Sequence, residues 1–323
     1  MTKKDYAHLY GPVPSRRLGR SLGVDIVPFK VCSYDCVYCQ LGRTTRLTAE
    51  PEELVDADEV MSELERWLAK GNTADYITFA GSGEPTLNSD LGAMISRTRE
   101  LTDIPSAVIT NGALLSDLSV IQGVSEADLI VPSLDAGTEE TFRRINRPCE
   151  GLTLEMVVEG LRLLRQEFAG AIWLEVMLVR DLNDSDAELA AISAVISGLG
   201  PDKVQINTVE RPSRSGGVSA VSPETLEKAR EILGPSSEVI TAQPDDRQAV
   251  RVEGSKSEVL QLLKRRPCTL GDIIAGTGLH VNEVVKILRD LMTDGLIESA
   301  GRPADPHYRP AINAVRAGTP EDA

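Results

Sequence analysis

The sequence predicts an α/β protein: a partial TIM-like (β/α)6 barrel followed by a small helical domain. Three observations predict it. From residue 21 to about 233, short β-rich apolar runs alternate with amphipathic helical stretches, the pattern of a parallel sheet covered by helices. Polar or glycine-rich signals recur at the C-terminal ends of the strands, the face where barrel enzymes build their sites. After residue 255 both the texture and the charge of the chain change. A flat doubly wound sheet is the alternative arrangement of the same units.

The strands follow as "SLGVDIV" (21–27), "YITFAG" (76–81), "SAVITNG" (106–112), "DLIVPSLDA" (128–136), "AIWLEVMLV" (171–179) and "KVQINTV" (203–209). Helical periodicity places helices near 57–70, 89–101, 113–122, 153–168, 185–198 and 223–233. The rim signals are "GSGEP" after the second strand, "TNG" after the third, "SLDA" at the fourth and "NTVERPSRSGG" after the sixth. Any one of these is an ordinary polar loop. Four in succession mark a shared ligand-binding rim.

Residues 1–240 thus form the first domain and the polar stretch 241–255 a linker. In 256–310, "KSEVLQLLKRR" reads as a helix ended near Pro267. "TLGDIIAGTG" reads as a second, with Thr269 and Asp272 spaced as a capping box. "HVNEVVKILRDLMTDG" ends at Gly295, and "LIESAGRPADPHYRP" has the form of a two-stranded wing. This shape resembles a winged helix-turn-helix. Residues 311–323 read as a disordered tail.

Hydrophobic residues make up 41% and charged residues 26% of the 323, as in ordinary globular domains. The net charge of −15 opposes non-specific nucleic-acid binding. It is uneven: residues 254–310 hold 8 Lys/Arg against 7 Asp/Glu, whereas 1–253 hold 25 against 40. No membrane helix is expected, since even "AIWLEVMLV" carries a glutamate, and the start lacks the apolar core of a secretory signal. The expected location is the cytoplasm. Five cysteines, three of them clustered, disfavour a disulfide framework and favour metal or redox chemistry.

Cys32, Cys36 and Cys39 form C-x3-C-x2-C between the first strand and the first helix. Structural zinc wants four N/S ligands and would have to recruit Cys149, Cys268 or a distant histidine. A redox C-x-x-C pair leaves Cys32 unexplained. A four-iron cluster uses all three thiolates and leaves one iron open.

With Tyr38 before the last cysteine, this loop resembles the radical S-adenosylmethionine (SAM) superfamily. The run "YGPVPSRRLGRSLGVDIVPFKVCSYDCVYCQLGRT" is similar to the branch containing the wyosine-type tRNA-modifying enzymes. "GSGEPTL", "TNG", "SLDA", "INRP" and "QINTVERP" fall in the order of that branch, so the resemblance covers roughly residues 9–215. It implies a [4Fe-4S] cluster on Cys32, Cys36 and Cys39, with SAM chelating the open iron. It also implies reductive cleavage of SAM to methionine and a 5′-deoxyadenosyl radical, an electron donor such as flavodoxin or ferredoxin, and oxygen sensitivity.

The resemblance further implies that Tyr38 packs against SAM. Gly81 and Gly83 let the backbone approach its methionyl group, and Glu84 or the local carbonyls accept from its ammonium. Asn111 is either a helix cap or a residue facing SAM. Ser133 and Asp135, two apart on the fourth strand, point to the same side by strand periodicity, and the resemblance directs that side toward the ribose or carboxylate of SAM. Glu175, interrupting an apolar strand, is either a ligand contact or half of a buried ion pair. Arg143, Arg144 and Arg147 in "FRRINRP" belong to a solvated helix end or meet an anion; "RRLGR" and "ERPSRSG" raise the same question. Cys149, Cys268 and the three histidines are given no catalytic role.

Wyosine-type enzymes carry a second cysteine set upstream, whereas this chain has no cysteine before Cys32. The expectation is therefore a radical SAM enzyme of open substrate, its winged helix contacting substrate, protein or nucleic acid. The alternative is an iron–sulfur redox-sensing transcription regulator. Its third helix offers only Lys286 and Arg289 against Glu283, Asp290 and Asp294, thin for phosphate anchoring; "KRRP" (264–267) is the better basic patch.

Overall fold

The chain enters through an antiparallel hairpin of β1 (Leu9–Ser15) and β2 (Gly19–Val24). In this computed structural model, residues 6–39, 41, 43–209, 218–240, 256–277, 279, 281–302 and 305–311 are described. A short parallel pair follows, β3 (Val31–Cys32) with β4 (Arg46–Leu47). Strands and helices then alternate: α1 (Ala57–Ala69), β5 (Tyr76–Phe79), α2 (Leu91–Leu101), β6 (Ser106–Thr110), α3 (Leu118–Val124) and β7 (Leu129–Pro132). Next come α4 (Glu139–Ile145), α5 (Leu154–Glu167), β8 (Ala171–Leu178), α6 (Asp186–Leu199), β9 (Lys203–Thr208), α7 (Pro223–Leu233) and β10 (Ser237–Val239). All six strands expected from the alternation form, and helix ends follow side-chain caps. Asp56, Thr153, Ser185 and Ser222 each accept from a first-turn backbone N–H, and Gly200 closes α6 at φ 58. The third helix begins at Leu118, later than expected, because Asp117 is its cap.

The eight strands order as β1-β2-β5-β6-β7-β8-β9-β10, with β2 through β10 parallel. The order never reverses, which excludes the doubly wound alternative. Two side chains show that the sheet curls. On a flat sheet with strands roughly 4.8 Å apart, the turn before β2 would stand about 19 Å from β8 and about 29 Å from β10. Yet Arg17 Nη1 lies 2.8 Å from Glu175 Oε2 on β8, and Arg16 Nη1 donates to Ile240 O, just past β10, at 3.4 Å. The edges β1 and β10 do not pair, so this is an opened barrel.

Two edge strands were not legible. β1 contains Pro12 and Pro14 and reads as non-strand, but an edge tolerates missing donors. β10 is only three residues long.

On β8, Ile172, Leu174, Val176 and Leu178 are buried beneath the helices, while Trp173, Glu175 and Met177 take the other face. Leu18, Ala107, Leu129 and Val131 fill the inner base of the barrel, with Trp173 packed against them. The outer core joins the strands to Met61, Leu64, Ile95, Leu161 and Leu189 of the helices.

After the barrel come α8 (Lys256–Arg265), α9 (Leu270–Thr277), α10 (Val281–Thr293) and an antiparallel hairpin of β11 (Ile297–Arg302) and β12 (Asp305–Pro310). They enclose their own apolar cluster, which includes Val259, Leu263, Cys268, Ile273 and Leu291. The expected capping box forms: Asp272 N donates to Thr269 Oγ1 at 3.1 Å, and Asp272 Oδ2 accepts from Thr269 N at 2.9 Å. The predicted linker 241–255, the "ERPSRSG" motif and residues 312–323 lie outside the described residues.

Candidate functional site

The three thiols stand on the loop leaving β2, at the end where β5, β6 and β7 also terminate. Each sulfur meets a nitrogen donor from a different place. Lys30 Nζ donates to Cys39 Sγ at 3.0 Å, Asn111 Nδ2 to Cys32 Sγ at 3.6 Å, and Asn146 Nδ2 to Cys36 Sγ at 3.6 Å. All five cysteines are free; Cys32, Cys36 and Cys39 are half-buried, whereas Cys149 and Cys268 are buried in apolar clusters.

Burial, reinforced by the charge of Glu84, pushes the Cys32 thiol up to about 12. Burial and then Asp135 push Cys36 well above the ordinary thiol range. Burial pulls the Lys30 ammonium down, but Cys39, Cys32 and Cys36 outweigh it and leave it raised. A cation and two amide donors are therefore set against the three sulfurs, which bind a metal as thiolates.

This donor set suits a cluster better than a single ion. Among the described residues no three His, Cys, Asp or Glu side chains converge as ligands of one metal ion do. Three soft sulfurs ringed by N–H donors fit the cluster, with one iron left without a protein ligand.

The "GSGEP" loop lies directly against the cysteine loop. Gly83 packs so closely that a Cβ would sit 1.9 Å from Val31 O, and a Cβ on Gly81, at φ +147, would meet Asp25 at 2.6 Å. Lys30 N donates to Ser82 O at 2.7 Å and Glu84 N to Val31 O at 3.1 Å. Glu84 is 2% exposed. Its carboxylate accepts from Thr86 N at 3.1 Å, Thr86 Oγ1 at 2.6 Å, Thr110 Oγ1 at 2.6 Å and Asn111 N at 2.7 Å. Of the two acceptors expected for an ammonium, the glutamate is thus occupied internally, leaving the backbone carbonyls of the loop.

Asn111 does not cap the following helix, whose N-cap is Asp117, and its side-chain bonds are local. Its Oδ1 accepts from Ala113 N at 2.9 Å, opening the turn after β6, and its Nδ2 reaches Ser33 Oγ at 2.8 Å in the cysteine loop. Tyr38 donates its hydroxyl to Asp135 Oδ2. Asp135 also accepts from Asn146 Nδ2 at 2.7 Å and Met177 N at 2.9 Å. Burial pushes its carboxyl up to about 6 against these donors. Because β7 ends at Pro132, strand alternation does not govern Ser133 and Asp135. Ser133 stays half-buried, bridged to Glu175, while Asp135 is turned to Tyr38 and Asn146.

For Glu175 the structure realises the ion pair: Arg17 stands at 2.8 Å and Asn207 Nδ2 donates to it at 2.6 Å. Arg143 pairs with Glu139 one turn away, Arg144 is exposed, and Arg147, at φ 46, lies 4.0 Å from Asp35. Sequence reasoning missed Lys30, Asn146 and Asp25, and raised Arg17 only within "RRLGR", toward an anion. Lys30 and Asn146 sit inside stretches it had singled out, but spacing does not say which neighbour a side chain reaches.

The family model for the Radical SAM superfamily matches residues 26–191. Among curated proteins, one described as GTPase Obg from Brachyspira hyodysenteriae is 36% identical over 90% of this chain, which spans 43% of that protein. The present chain has no Gly-Lys pair and hence no G-x-x-x-x-G-K-[S/T] phosphate loop. A UPF0026 protein of Methanocaldococcus jannaschii is 35% identical over 72% of this chain and 71% of its own length. The structure of a radical SAM methyltransferase from Sphaerobacter thermophilus shares the fold, with a TM-score of 0.54 at 18% identity over 68% of this chain and 65% of that one. Among the described residues no helix is long and apolar enough to cross a membrane.

Proposed function

This chain belongs to the radical SAM superfamily, whose cofactors are a [4Fe-4S] cluster and SAM, and from that premise we propose that it is a radical SAM enzyme acting on a substrate yet to be identified. The observation that carries the reading is the ring of donors, Lys30, Asn111 and Asn146, each on a different cysteine sulfur. When bound, the two cofactors supply one-electron chemistry: reductive cleavage of the sulfonium and abstraction of a hydrogen from substrate.

The chain's own residues prepare the place. Cys32, Cys36 and Cys39 hold the cluster, and Lys30, Asn111 and Asn146 offset the charge on their sulfurs. The "GSGEP" backbone, pinned by Glu84 and Asp25 and packed through Gly81 and Gly83 against Asp25 and Val31, would offer its carbonyls to the ammonium of SAM. Tyr38, fixed by Asp135, would pack against SAM, and Asn111 and Ser133 would line the rim. Glu175, neutralised by Arg17, forms a polar patch in the barrel interior on the substrate side.

Residues 1–240 form the catalytic domain in this reading, 241–255 a linker, 256–310 a winged-helix-like domain and 311–323 a tail. The three helices and the hairpin of the C-terminal part support the winged-helix assignment. The branch is the one resembling wyosine-type enzymes, without their second cysteine set, and the electron donor is a flavodoxin or ferredoxin. Cytoplasmic location and oxygen sensitivity follow from the same reading. Nothing in the fold or the relatives favours the regulator alternative.

The test is anaerobic iron–sulfur reconstitution followed by SAM and a strong reductant. The wild type is expected to form 5′-deoxyadenosine and methionine, and a Cys32/Cys36/Cys39→Ala triple variant to form neither. Equal product from both, or stoichiometric zinc without iron–sulfur absorption, sinks the proposal.

A further inference from the structure

Asp25, at the end of β2, is 3% exposed, and its carboxylate organises the "GSGEP" loop. Its Oδ1 accepts from Ser82 N at 3.1 Å and its Oδ2 from Ser82 Oγ at 2.7 Å. The loop continues to the cysteines, because Ser82 O accepts from Lys30 N at 2.7 Å. A buried carboxylate requires a counter-charge. Among the described residues the barrel does not provide it. The cation is Arg265, the last residue of α8, in the C-terminal segment.

Arg265 Nη1 forms an ion pair with Asp25 Oδ2 and donates to Ser82 Oγ at 2.8 Å. Its Nη2 donates to Ala7 O at 3.2 Å. The guanidinium lies over the Tyr10 ring, 5.7 Å from its centroid. Tyr10 in turn covers Gly23 of β2, where a Cβ would stand 2.1 Å from the ring, and packs against the C-terminal apolar cluster. The side chain of Arg265 is only 16% exposed. The arginine is thus inserted between barrel and C-terminal helices, its fork shared by a carboxylate, a hydroxyl and a carbonyl.

We propose that Arg265 is a positioning residue for SAM binding: it neutralises Asp25 and holds Ser82, and so fixes the "GSGEP" backbone that receives the methionyl end of SAM. The C-terminal segment is then a structural part of the SAM site. The proposal rests on the radical SAM reading above. Without Arg265, Asp25 keeps two bonds to Ser82 but lies uncompensated, and either it draws in water or the loop moves. Either change displaces the acceptors for SAM while leaving the three cysteines in place.

The experiment uses the full chain with Arg265→Met, Arg265→Lys and, as a control on the same helix, Lys256→Ala, an exposed residue that pairs with Asp294 and not with the barrel. Hydrogen exchange is first followed by mass spectrometry on the protein without cluster or SAM. Arg265→Met is expected to speed exchange over residues 24–31 and 80–84 roughly 10-fold, leaving β7–β9 as in the wild type. Arg265→Lys falls between, and Lys256→Ala matches the wild type. Unchanged exchange in those segments, or an equal rise along the whole chain, overturns the link.

The second measurement is the dependence of 5′-deoxyadenosine formation on SAM concentration after reconstitution. Arg265→Met is expected to raise KM for SAM roughly 10-fold with kcat and iron content near wild type, because uniform binding is what is lost. A fall in kcat in step with iron content, at unchanged KM, makes Arg265 merely structural and overturns the proposal. If the wild type forms no 5′-deoxyadenosine while the exchange difference persists, the enzyme reading falls and the role in SAM binding falls with it. An active wild type with no exchange difference overturns the Arg265 link alone.

Discussion

The carboxylate of Glu84 receives the backbone N–H of Asn111 at 2.7 Å, joining the loop after β5 to the end of β6. With Thr86 and Thr110 on its other lone pairs, Glu84 is a clasp between neighbouring strands. Glu84→Gln puts an amide N–H where an acceptor is required, against either Thr110 or Asn111. Loss of one buried bond with an unsatisfied donor is expected to cost about 1–3 kcal/mol, read from urea unfolding, and to lower 5′-deoxyadenosine formation. Unchanged stability would mean that the clasp is replaceable.

Gly83→Ala tests the contact between the two loops. The new methyl would meet a backbone carbonyl, Val31 O, at 1.9 Å, so the cysteine loop must move. The expected cost is roughly 1–3 kcal/mol or more, with iron content after reconstitution falling below wild type. Full iron content with wild-type stability would contradict the packing described.

Lys30→Met removes the cation 3.0 Å from Cys39 Sγ. A positive donor at a ligand sulfur favours the reduced, more negative cluster, so its removal lowers the midpoint potential. The expected fall is roughly 50 mV, corresponding to about 1 kcal/mol in a one-electron couple. Redox titration followed by EPR reads it directly, independently of turnover. A potential equal to or above that of the wild type refutes this role.

Asp135 predicts a pH dependence. Burial raises its carboxyl from the ordinary 3.8 to about 6 in the folded chain. A raised folded value means that the native state binds the proton more tightly, so its stabilising contribution is complete below 3.8 and is lost as pH rises through 6. The whole effect is about 3 kcal/mol, of which about 2 kcal/mol falls between pH 4.5 and 7.5. In urea unfolding without added iron, the wild type is expected to lose that much more stability than Asp135→Asn over this interval. Parallel pH profiles would show that Asp135 titrates normally.

Much of this was legible without coordinates. The period-2 and period-3.6 patterns placed six strands and their helices, because burying one face of a strand or helix writes a local signal in the chain. The C-x3-C-x2-C spacing and the succession of rim loops located the site, since residues close in sequence on one loop are necessarily close in space. Spacing singles out Cys32, Cys36 and Cys39, the family resemblance adds Gly81, Gly83, Glu84, Asn111 and Asp135, and these residues meet at one end of the sheet.

What tertiary structure decided is which side chain answers which. Glu175 was read two ways because a lone carboxylate in a strand carries no mark of its partner; curling of the sheet brought Arg17 to it, 158 positions away. Glu84 turned inward because β6 ends beside it. Asp25 looked like one more residue of a strand until the C-terminal segment placed Arg265 against it and against Ser82, 183 positions distant. Local periodicity records what is buried, whereas the pairing of charges across a curled sheet depends on how strands far apart in sequence are brought together, and no short stretch of this chain encodes that by itself.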